Sequence, residues 1–166
     1  MDRLRVIVGA DAPHLNWESC TSAQLVRVSE ELGDGPWDWS YDRLKLTNLG
    51  LEFRILRKGL FWSQARLLAG PRHNAINALV ALALCDWHAP LDHPSDRERA
   101  IEALASFPGL HRRFQVTRGG RDQILIDDYA HHPTALSASI AAARSLFPGR
   151  RVLGVDRKST RLNSSH

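Results

Sequence analysis

The segment ILIDDYAHHPTAL, residues 124–136, concentrates chemically capable side chains between an apolar run and a proline. Six consecutive positions hold two aspartates, a tyrosine and two histidines: Asp127, Asp128, Tyr129, His131 and His132. Charged or nearly charged side chains are costly to bury, so such a cluster requires either open solvent or a ligand that offsets the desolvation. This segment is therefore the first candidate for a functional site.

Two aspartates beside a histidine pair could also bind a metal ion, as in a dinuclear hydrolase. Such a site needs further ligands at suitable spacing elsewhere in the chain. His88, His93 and His111 stand in no recognisable ligand spacing. We therefore predict no metal site here and keep the hydrolase as an alternative.

Asn74 and Asn77 form a second candidate pair at the start of an apolar segment. Residues three apart on a helix share a face, so the two amides can donate and accept hydrogen bonds in the same small region. The alternative is that Asn74 only caps the helix.

The pattern after residue 120 predicts a strand, a helix and a second strand. The apolar runs QILID (123–127) and RRVLGV (150–155) predict the strands, and Pro133 begins the helix. The predicted apolar stripe of this helix consists of Leu136, Ile140 and Phe147. Together these elements predict one βαβ unit with parallel strands and a right-handed crossover.

This βαβ unit explains where the titratable cluster would lie. Residues 127–132 follow the carboxyl end of a strand and precede the amino end of a helix. Open α/β sheets bind ligands at this edge, and helix amides there favour anions.

The first seventy residues predict mostly strands. LRVIVGA (4–10) predicts a buried strand. TSAQLVRVSEEL (21–32) places Leu25, Val28 and Leu32 at helical spacing, and so predicts a helix. Three stretches with broken alternation predict a small antiparallel sheet: YDRLKLT, LEFRILRKG and FWSQARLLAG.

Two helices are predicted next. HNAINALVALALCDW (73–87) is nearly all apolar and should be buried on most sides. SDRERAIEALASF (95–107) has Ser95 and Glu98 in capping-box spacing. Its predicted apolar face consists of Ile101, Leu104 and Phe107. We predict a domain boundary near residues 108–116.

The composition is that of a globular protein. Of the 166 residues, 43% are hydrophobic, and no apolar run approaches the roughly 20 residues of a membrane helix. No signal-peptide pattern stands at the start. Cys20 and Cys85 show no CxxC spacing, and we expect reduced, packed thiols. These features predict a cytoplasmic protein with no membrane partner.

The last residues, DRKSTRLNSSH (156–166), match the translation of a common sequencing-library adapter and predict a non-native tail. Without Arg157, Lys158, Arg161 and Asp156, the 22 basic and 18 acidic residues become 19 and 17, and the net charge falls from +4 to +2. So small a charge predicts no nucleic-acid partner.

Three motifs, in this order and spacing, resemble the Mur ligases of peptidoglycan synthesis over residues 5–155: HNAINALVALA, ALASFPGLHRRF and LIDDYAHHPTAL. The resemblance implies an α/β fold. Residues 1–110 would be the C-terminal half of the central ATPase domain, including the small antiparallel sheet. Residues 111–155 would be the first βαβ unit of the Rossmann-like C-terminal domain, and 156–166 the non-native tail.

The resemblance implies an ATP-dependent ligase that uses ATP and Mg²⁺. Such an enzyme phosphorylates the lactyl carboxylate of UDP-N-acetylmuramate, and the amino group of L-alanine then displaces the phosphate. A near relative in the family takes a murein tripeptide, L-alanyl-γ-D-glutamyl-meso-diaminopimelate, in place of L-alanine. Ala135 stands where the family has glutamate after HHPT, which favours this relative or a divergent branch.

The resemblance also assigns nucleotide contacts. Asn74 and Asn77 match the asparagines that meet the nucleotide, and Arg113 matches an arginine that contacts ATP phosphate. A guanidinium is always charged and forks onto phosphate oxygens, which suits a site where negative charge builds up. The alternative for Arg113 is a solvated linker residue, which is what we expect for Arg112.

In the loop, Asp128 matches the functional aspartate of the family, with Asp127 as its support. Asp128 and Arg113 are the predicted catalytic residues. Tyr129, His131 and His132 complete the motif, and they either face the substrate or hold the loop.

The sequence also departs from a complete ligase. It has no GxxxxGK[ST] phosphate loop, and the family's magnesium ligands would lie before Met1. We therefore expect an inactive part of a longer ligase, with a stand-alone nucleotide-binding module as the alternative. In GPRHN, Pro71 stands where the family has glycine, and Gly70 lies one position earlier, which alters the turn before the helix.

Overall fold

The computed structural model describes residues 5–9, 24–29, 37–47, 50–68, 70–120 and 122–155. Cys20 and the tail 156–166 lie outside these ranges. Among the described helices, none is long and apolar enough to cross a membrane. The described elements are β1 (Arg5–Gly9), β2 (Gln24–Ser29), β3 (Trp39–Thr47), β4 (Gly50–Arg57), β5 (Leu60–Leu67), α1 (Asn74–His88), α2 (Pro94–Ser106), β6 (Gln115–Arg118), β7 (Ile124–Asp127) and α3 (Pro133–Leu146).

Strands β1 to β5 form one mixed sheet in chain order. β1, β2 and β3 run parallel to one another, whereas β3, β4 and β5 pair antiparallel. The predicted antiparallel pairing is therefore confirmed, and it continues a parallel sheet instead of standing alone.

The helix predicted over residues 21–32 is wrong, because residues 24–29 form β2. Val28 pairs with Gly9 on one side and Trp39 on the other, and is fully buried. Neighbours on both sides satisfy the backbone groups that a helix would satisfy internally. Three apolar residues at helical spacing do not distinguish a helix from a short buried strand, and β-branched Val26 and Val28 favour the strand.

A two-residue turn, Lys58 and Gly59, joins β4 to β5. Both residues have positive φ, 52° and 76°. This is the arrangement of a type I′ turn, whose twist matches that of the flanking strands, and glycine adopts it without a Cβ penalty. Arg57 pairs directly with Leu60, so the turn sets the register of the hairpin.

Helix α1 packs against β2, β3 and β4 and forms the main core with them. Its buried face consists of Ala75, Ala78, Leu79, Leu82 and Ala83. The sequence predicted burial on most sides, but Leu84, Cys85 and Trp87 are exposed. The prediction of a packed thiol is therefore wrong for Cys85.

Helix α2 packs against β5. His93 caps it, because its Nδ1 accepts a hydrogen bond from the amide of Ser95 at 3.3 Å. This histidine cap takes the place of the predicted capping box of Ser95 and Glu98. Two residues of the predicted face pack half-buried on the core and the third is exposed: Ile101, Leu104 and Phe107.

Arg57, at the end of β4, joins the sheet to the α1–α2 connection. Its Nη2 lies 2.7 Å from Asp86 Oδ2, and its Nη1 lies 2.6 Å from Asp92 Oδ1. Asp86 also accepts a hydrogen bond from the amide of Leu91 at 2.9 Å. The guanidinium carbon lies 5.3 Å from the ring centroid of Trp39. The Arg57 side chain therefore connects the sheet to the segment between α1 and α2.

Strands β6 and β7 form a separate antiparallel pair. The sequence predicted that β7 would be followed by a strand at 150–155, but the structure describes those residues without one. The predicted βαβ unit is therefore wrong, and a hairpin packed against α3 replaces it. β6 escaped prediction because QVTR contains a single apolar residue, Val116.

Helix α3 presents small residues to these strands. The less exposed positions recur at helical spacing and hold Ala135, Ala138, Ser139, Ala142, Ala143 and Leu146. The last three pack with Phe114, Val116 and Ile126. In the predicted stripe, Leu136 and Ile140 are instead 44% and 42% exposed, and Phe147 packs partly. Small side chains allow a close-packed contact with the two strands, and this fit outweighs the burial of larger residues.

Candidate functional site

The segment before β6 is shaped by left-handed backbone. Gly109, Arg112 and Phe114 have φ values of 85°, 57° and 51°. A positive φ is uncommon for arginine and an outlier for phenylalanine, so surrounding contacts must hold it. Phe114 is buried against α3, which supplies such contacts. With this backbone conformation, Arg112 and Arg113 are exposed beside the loop that follows β7.

The two segments meet at Tyr129. Its amide donates a hydrogen bond to the carbonyl of Arg112 at 2.8 Å. The guanidinium carbons of Arg112 and Arg113 lie 5.1 Å and 5.9 Å from the ring centroid of Tyr129. Exposed contacts of this kind contribute about 0.5–1 kcal/mol each. Arg112, predicted as a solvated linker residue, is therefore part of the arrangement that holds Arg113 beside the loop.

The two histidines of the loop have different roles in holding it. His131 Nδ1 lies 3.0 Å from the carbonyl oxygen of Tyr129, which can only accept, so this nitrogen carries the hydrogen. His132 Nδ1 accepts from the amide of Thr134 at 3.4 Å and caps α3. The ring of His131 also contacts Tyr129 edge to face at 5.3 Å. The described contacts of both histidines hold the loop, which is one of the two roles left open by the sequence.

Asp128 is half-buried, and its Oδ2 accepts a hydrogen bond from the hydroxyl of Ser139 in α3. Asp127 is exposed and pairs with Gln115 in the β6–β7 ladder. The predicted functional carboxylate is thus fixed by a helix. Sequence reasoning missed Ser139. The feature that could have identified it is a hydroxyl among the small residues of one helix face.

Asn74 and Asn77 meet at the start of α1. Asn77 Nδ2 donates to Asn74 Oδ1 at 3.4 Å. His73 occupies the cap position without a side-chain hydrogen bond, and Asn74 is the first helical residue, so the capping alternative for Asn74 is wrong. Gly70 lies against this pair, because a Cβ there would be 2.3 Å from Asn74 Nδ2.

The structure does not bring all predicted residues together. Arg113 and the loop residues share one region, while Asn74 and Asn77 lie at the start of α1. Among the parts of the chain that the structure covers, no hydrogen bond, ion pair or ring contact joins the two groups. Packing connects them, since Leu46 of β3 contacts the core around α1 and also the cluster around α3.

The metal alternative gains no support from this geometry. Within the described ranges, no three His, Cys, Asp or Glu side chains lie close enough to share an ion. The Nδ1 atoms of His131 and His132 are both engaged in contacts with the backbone.

Sequence comparison assigns these motifs to a family. Residues 112–162 match the family described as Mur ligase, glutamate ligase domain, a range that includes part of the predicted non-native tail. The chain is 34% identical, over 93% of its length, to the UDP-N-acetylmuramate–L-alanine ligase of Gloeobacter violaceus. It spans 31% of the length of that protein.

Solved structures are similar in fold. The UDP-N-acetylmuramate-alanine ligase of Thermotoga maritima superposes with a TM-score of 0.62 at 25% identity, over 74% of this chain and 27% of that one. The folylpolyglutamate synthase of the same organism superposes with a TM-score of 0.65 over 89% of this chain and 33% of its own, and its 19% identity indicates the fold alone. By sequence match, fold and order of motifs, the chain belongs to the Mur ligase family.

Proposed function

We propose that this chain is part of an ATP-dependent ligase of peptidoglycan synthesis that joins L-alanine to UDP-N-acetylmuramate in the cytoplasm. The observation that carries the proposal is the 34% identity to a UDP-N-acetylmuramate–L-alanine ligase along 93% of the chain. The fold alone would not suffice, because folylpolyglutamate synthase shares it and one fold hosts many activities.

The proposed reaction has two steps. A carboxylate oxygen of UDP-N-acetylmuramate attacks the γ-phosphorus of ATP, and ADP leaves with the bonding electrons. The amino group of L-alanine then attacks the acyl carbon of the acyl phosphate, phosphate leaves, and the amine loses a proton. Negative charge shifts between oxygens in both steps, so positioned charges are the main catalytic contribution that the protein can make.

Arg113 and Asp128 carry these roles in the proposal. Arg113 is an exposed guanidinium supported by the ring of Tyr129, and its fork suits phosphate oxygens. Asp128 is a carboxylate with one oxygen fixed by Ser139, so it can orient a cation or an attacking amine. Tyr129 keeps the two chain segments in contact, and His131 packs against the Tyr129 ring within the loop.

The donors proposed for a nucleotide lie in two separate groups, and a bound nucleotide would have to reach both. The amides of Asn74 and Asn77 face one region, and Arg113 offers a charge for phosphate. ATP bound there would supply the phosphoryl group. The described residues hold no group of three metal-ligating side chains, so they would offer Mg²⁺ at most two protein ligands, and the phosphates of bound ATP would complete its coordination. Because the sequence lacks a glycine-rich phosphate loop, we propose that the 166-residue chain alone is inactive.

The test uses the gene extended in both directions. The complete protein is incubated with ATP, Mg²⁺, UDP-N-acetylmuramate and L-alanine, and the products are followed by mass spectrometry. We expect equal amounts of ADP, phosphate and UDP-N-acetylmuramoyl-L-alanine, and none from the 166-residue chain. Absence of an amide product with every amino acid or peptide offered would contradict the proposal.

A second candidate substrate is the murein tripeptide. It is favoured by Ala135, a small half-buried residue in the first turn of α3, where the family has glutamate. Competition between L-alanine and L-alanyl-γ-D-glutamyl-meso-diaminopimelate decides between them, since specificity is the ratio of the two kcat/KM values.

A further inference from the structure

The contact between Asp128 and Ser139 links the loop to the second turn of helix α3 across eleven positions of sequence. Ser139 Oγ donates to Asp128 Oδ2, and both residues are half-buried. For the other carboxylate oxygen, the structure shows no partner among the described residues. One oxygen is therefore held in place while the other keeps its lone pairs available.

Ser139 also stands out within its own helix. The neighbouring inward positions are occupied by Ala135, Ala138, Ala142 and Ala143, so a serine is the one polar side chain among them. Inside a helix a serine hydroxyl commonly bonds back to the carbonyl one turn earlier. Here it donates to the loop carboxylate instead. On this half-buried and otherwise apolar face, the hydroxyl gains from such a partner because its contact with water is reduced.

The consequence for Asp128 is a restricted orientation. A free aspartate samples several rotamers, whereas a carboxylate bonded to a group on a rigid helix is confined to one. Small displacements of a catalytic group lower the rate strongly, since the reacting atoms must lie within a few tenths of an ångström of their productive geometry.

We propose that Ser139 is a positioning residue, which orients the Asp128 carboxylate for the ligation reaction. This inference rests on the proposed function. It assigns a role to a residue outside the loop motif and predicts that helix α3 takes part in catalysis through one hydroxyl.

The experiment compares five variants of the complete ligase. Ser139→Ala removes the hydroxyl and is expected to lower kcat about tenfold, with the KM for ATP changed less than about twofold. Ser139→Thr retains a hydroxyl and is expected to restore most of the rate. Ser137→Ala, an exposed serine of the same helix, is the matched control and should leave kcat unchanged. Thermal melting of each variant separates a loss of orientation from a loss of folding.

The fourth variant is Asp128→Ala alone, and the fifth combines it with Ser139→Ala. If the hydroxyl acts through the carboxylate, adding Ser139→Ala to Asp128→Ala should change kcat by less than about twofold. An unchanged kcat in Ser139→Ala, a Thr variant no better than the Ala variant, or a tenfold loss that persists without Asp128 would overturn the inference. Inactivity of the unmodified complete protein would instead defeat the proposed function itself.

Discussion

Tyr129 is the residue on which the candidate site is assembled. Its amide bonds to Arg112, its ring lies under two guanidinium groups, and its carbonyl holds His131. Each contact is weak alone, but together they keep Arg113 next to the loop that carries Asp128. Replacing a single side chain of this group is therefore expected to change the activity of the site.

Removal of either predicted catalytic residue should act on the transition state. In the complete ligase, Arg113→Ala and Asp128→Ala are each expected to lower kcat about a hundredfold, comparable with the loss of one preorganised electrostatic contact. Arg113→Lys should recover only part of the rate, because lysine lacks the planar fork. Arg118→Ala, an exposed arginine at the end of β6, is the control. Steady-state kinetics in which KM rises while kcat stays constant would contradict this assignment.

His132→Ala should destabilise helix α3 and leave metal content unaffected. The imidazole accepts a hydrogen bond from the amide of Thr134, so its loss is expected to cost about 1 kcal/mol of unfolding free energy. His132→Asn restores a capping acceptor and should recover most of the stability. Denaturant unfolding measures the first effect, and elemental analysis measures the second. A tightly bound transition metal lost in the alanine variant would revive the hydrolase alternative.

Gly70→Ala should disturb the asparagine pair. The new Cβ would stand 2.3 Å from Asn74 Nδ2, so this side chain must shift, which would disturb its hydrogen bond with Asn77. We expect a higher KM for ATP with kcat little changed, the same result as for Asn77→Ala, since a nucleotide-holding amide contributes to ground state and transition state alike. Gly120→Ala is the matched control, because its Cβ would meet no atom within 4 Å. An unchanged KM for ATP in both Gly70→Ala and Asn77→Ala would argue against nucleotide binding at this pair.

At the scale of elements, Arg57 fixes the α1–α2 corner over the sheet. Its two ion pairs differ in burial, since the Asp86 side chain is 17% exposed and the Asp92 side chain 73%. An exposed ion pair contributes about 0–1 kcal/mol to the free energy of unfolding. Removing the arginine of a largely buried pair costs more, because it leaves the carboxylate without a compensating charge.

The prediction from this difference concerns stability. Arg57→Ala is expected to lower the free energy of unfolding by about 2 kcal/mol, and Asp92→Ala by less than about 1 kcal/mol. Arg99→Ala, which breaks an exposed pair with Asp96, is the control and should have almost no effect. Urea unfolding measures all three, and equal losses for Asp92 and Arg57 would refute the role of burial.

Sequence reasoning predicted the elements best where a strong local signal existed. Pro133 marked the start of α3, and the apolar run at 124–127 marked β7, so the position of the loop between them is confirmed. Strand β2 was missed because Leu25 and Val28 also satisfy helical spacing. Its strand conformation comes from neighbours on both sides, which a single segment does not reveal.

The candidate site was predictable in part for similar reasons. The loop residues are adjacent in sequence, so their cluster could be recognised directly. The contributions of Ser139 and Arg112 depend on tertiary contacts with Asp128 and Tyr129, and no local pattern encodes them. The helix face of α3 was misjudged because large apolar residues were weighted above the small ones that pack closely.

At the scale of the whole molecule, apolar side chains remain exposed on α3, on the β6–β7 hairpin and on the residues that follow them. Leu125, Leu136 and Ile140 are all more than 40% exposed, and Leu153 and Val155 more than 75%. A group of exposed apolar side chains normally marks a contact with another part of the protein or with a partner.

The isolated 166-residue chain should therefore bind hydrophobic dyes or self-associate. Replacing Leu125, Leu136 and Ile140 together with polar residues is expected to reduce dye fluorescence, while circular dichroism keeps its helical signal. Light scattering and dye titration test this. The control is a separate variant in which three exposed charged residues are replaced. A monodisperse monomer that melts cooperatively and binds no dye would contradict the expectation.

The Lys58–Gly59 turn also bears on the order in which the sheet forms. β4 and β5 close over two residues, and such hairpins form in roughly 1–10 μs. β1 and β2 are separated by residues 10–23 in the sequence, so their parallel pairing joins positions that lie farther apart along the chain than those of the hairpin. The hairpin is thus the expected nucleus, onto which β3 adds before the two parallel strands. The rate of folding would then be governed by the later parallel pairing of β1, β2 and β3, whose partners lie farther apart in sequence.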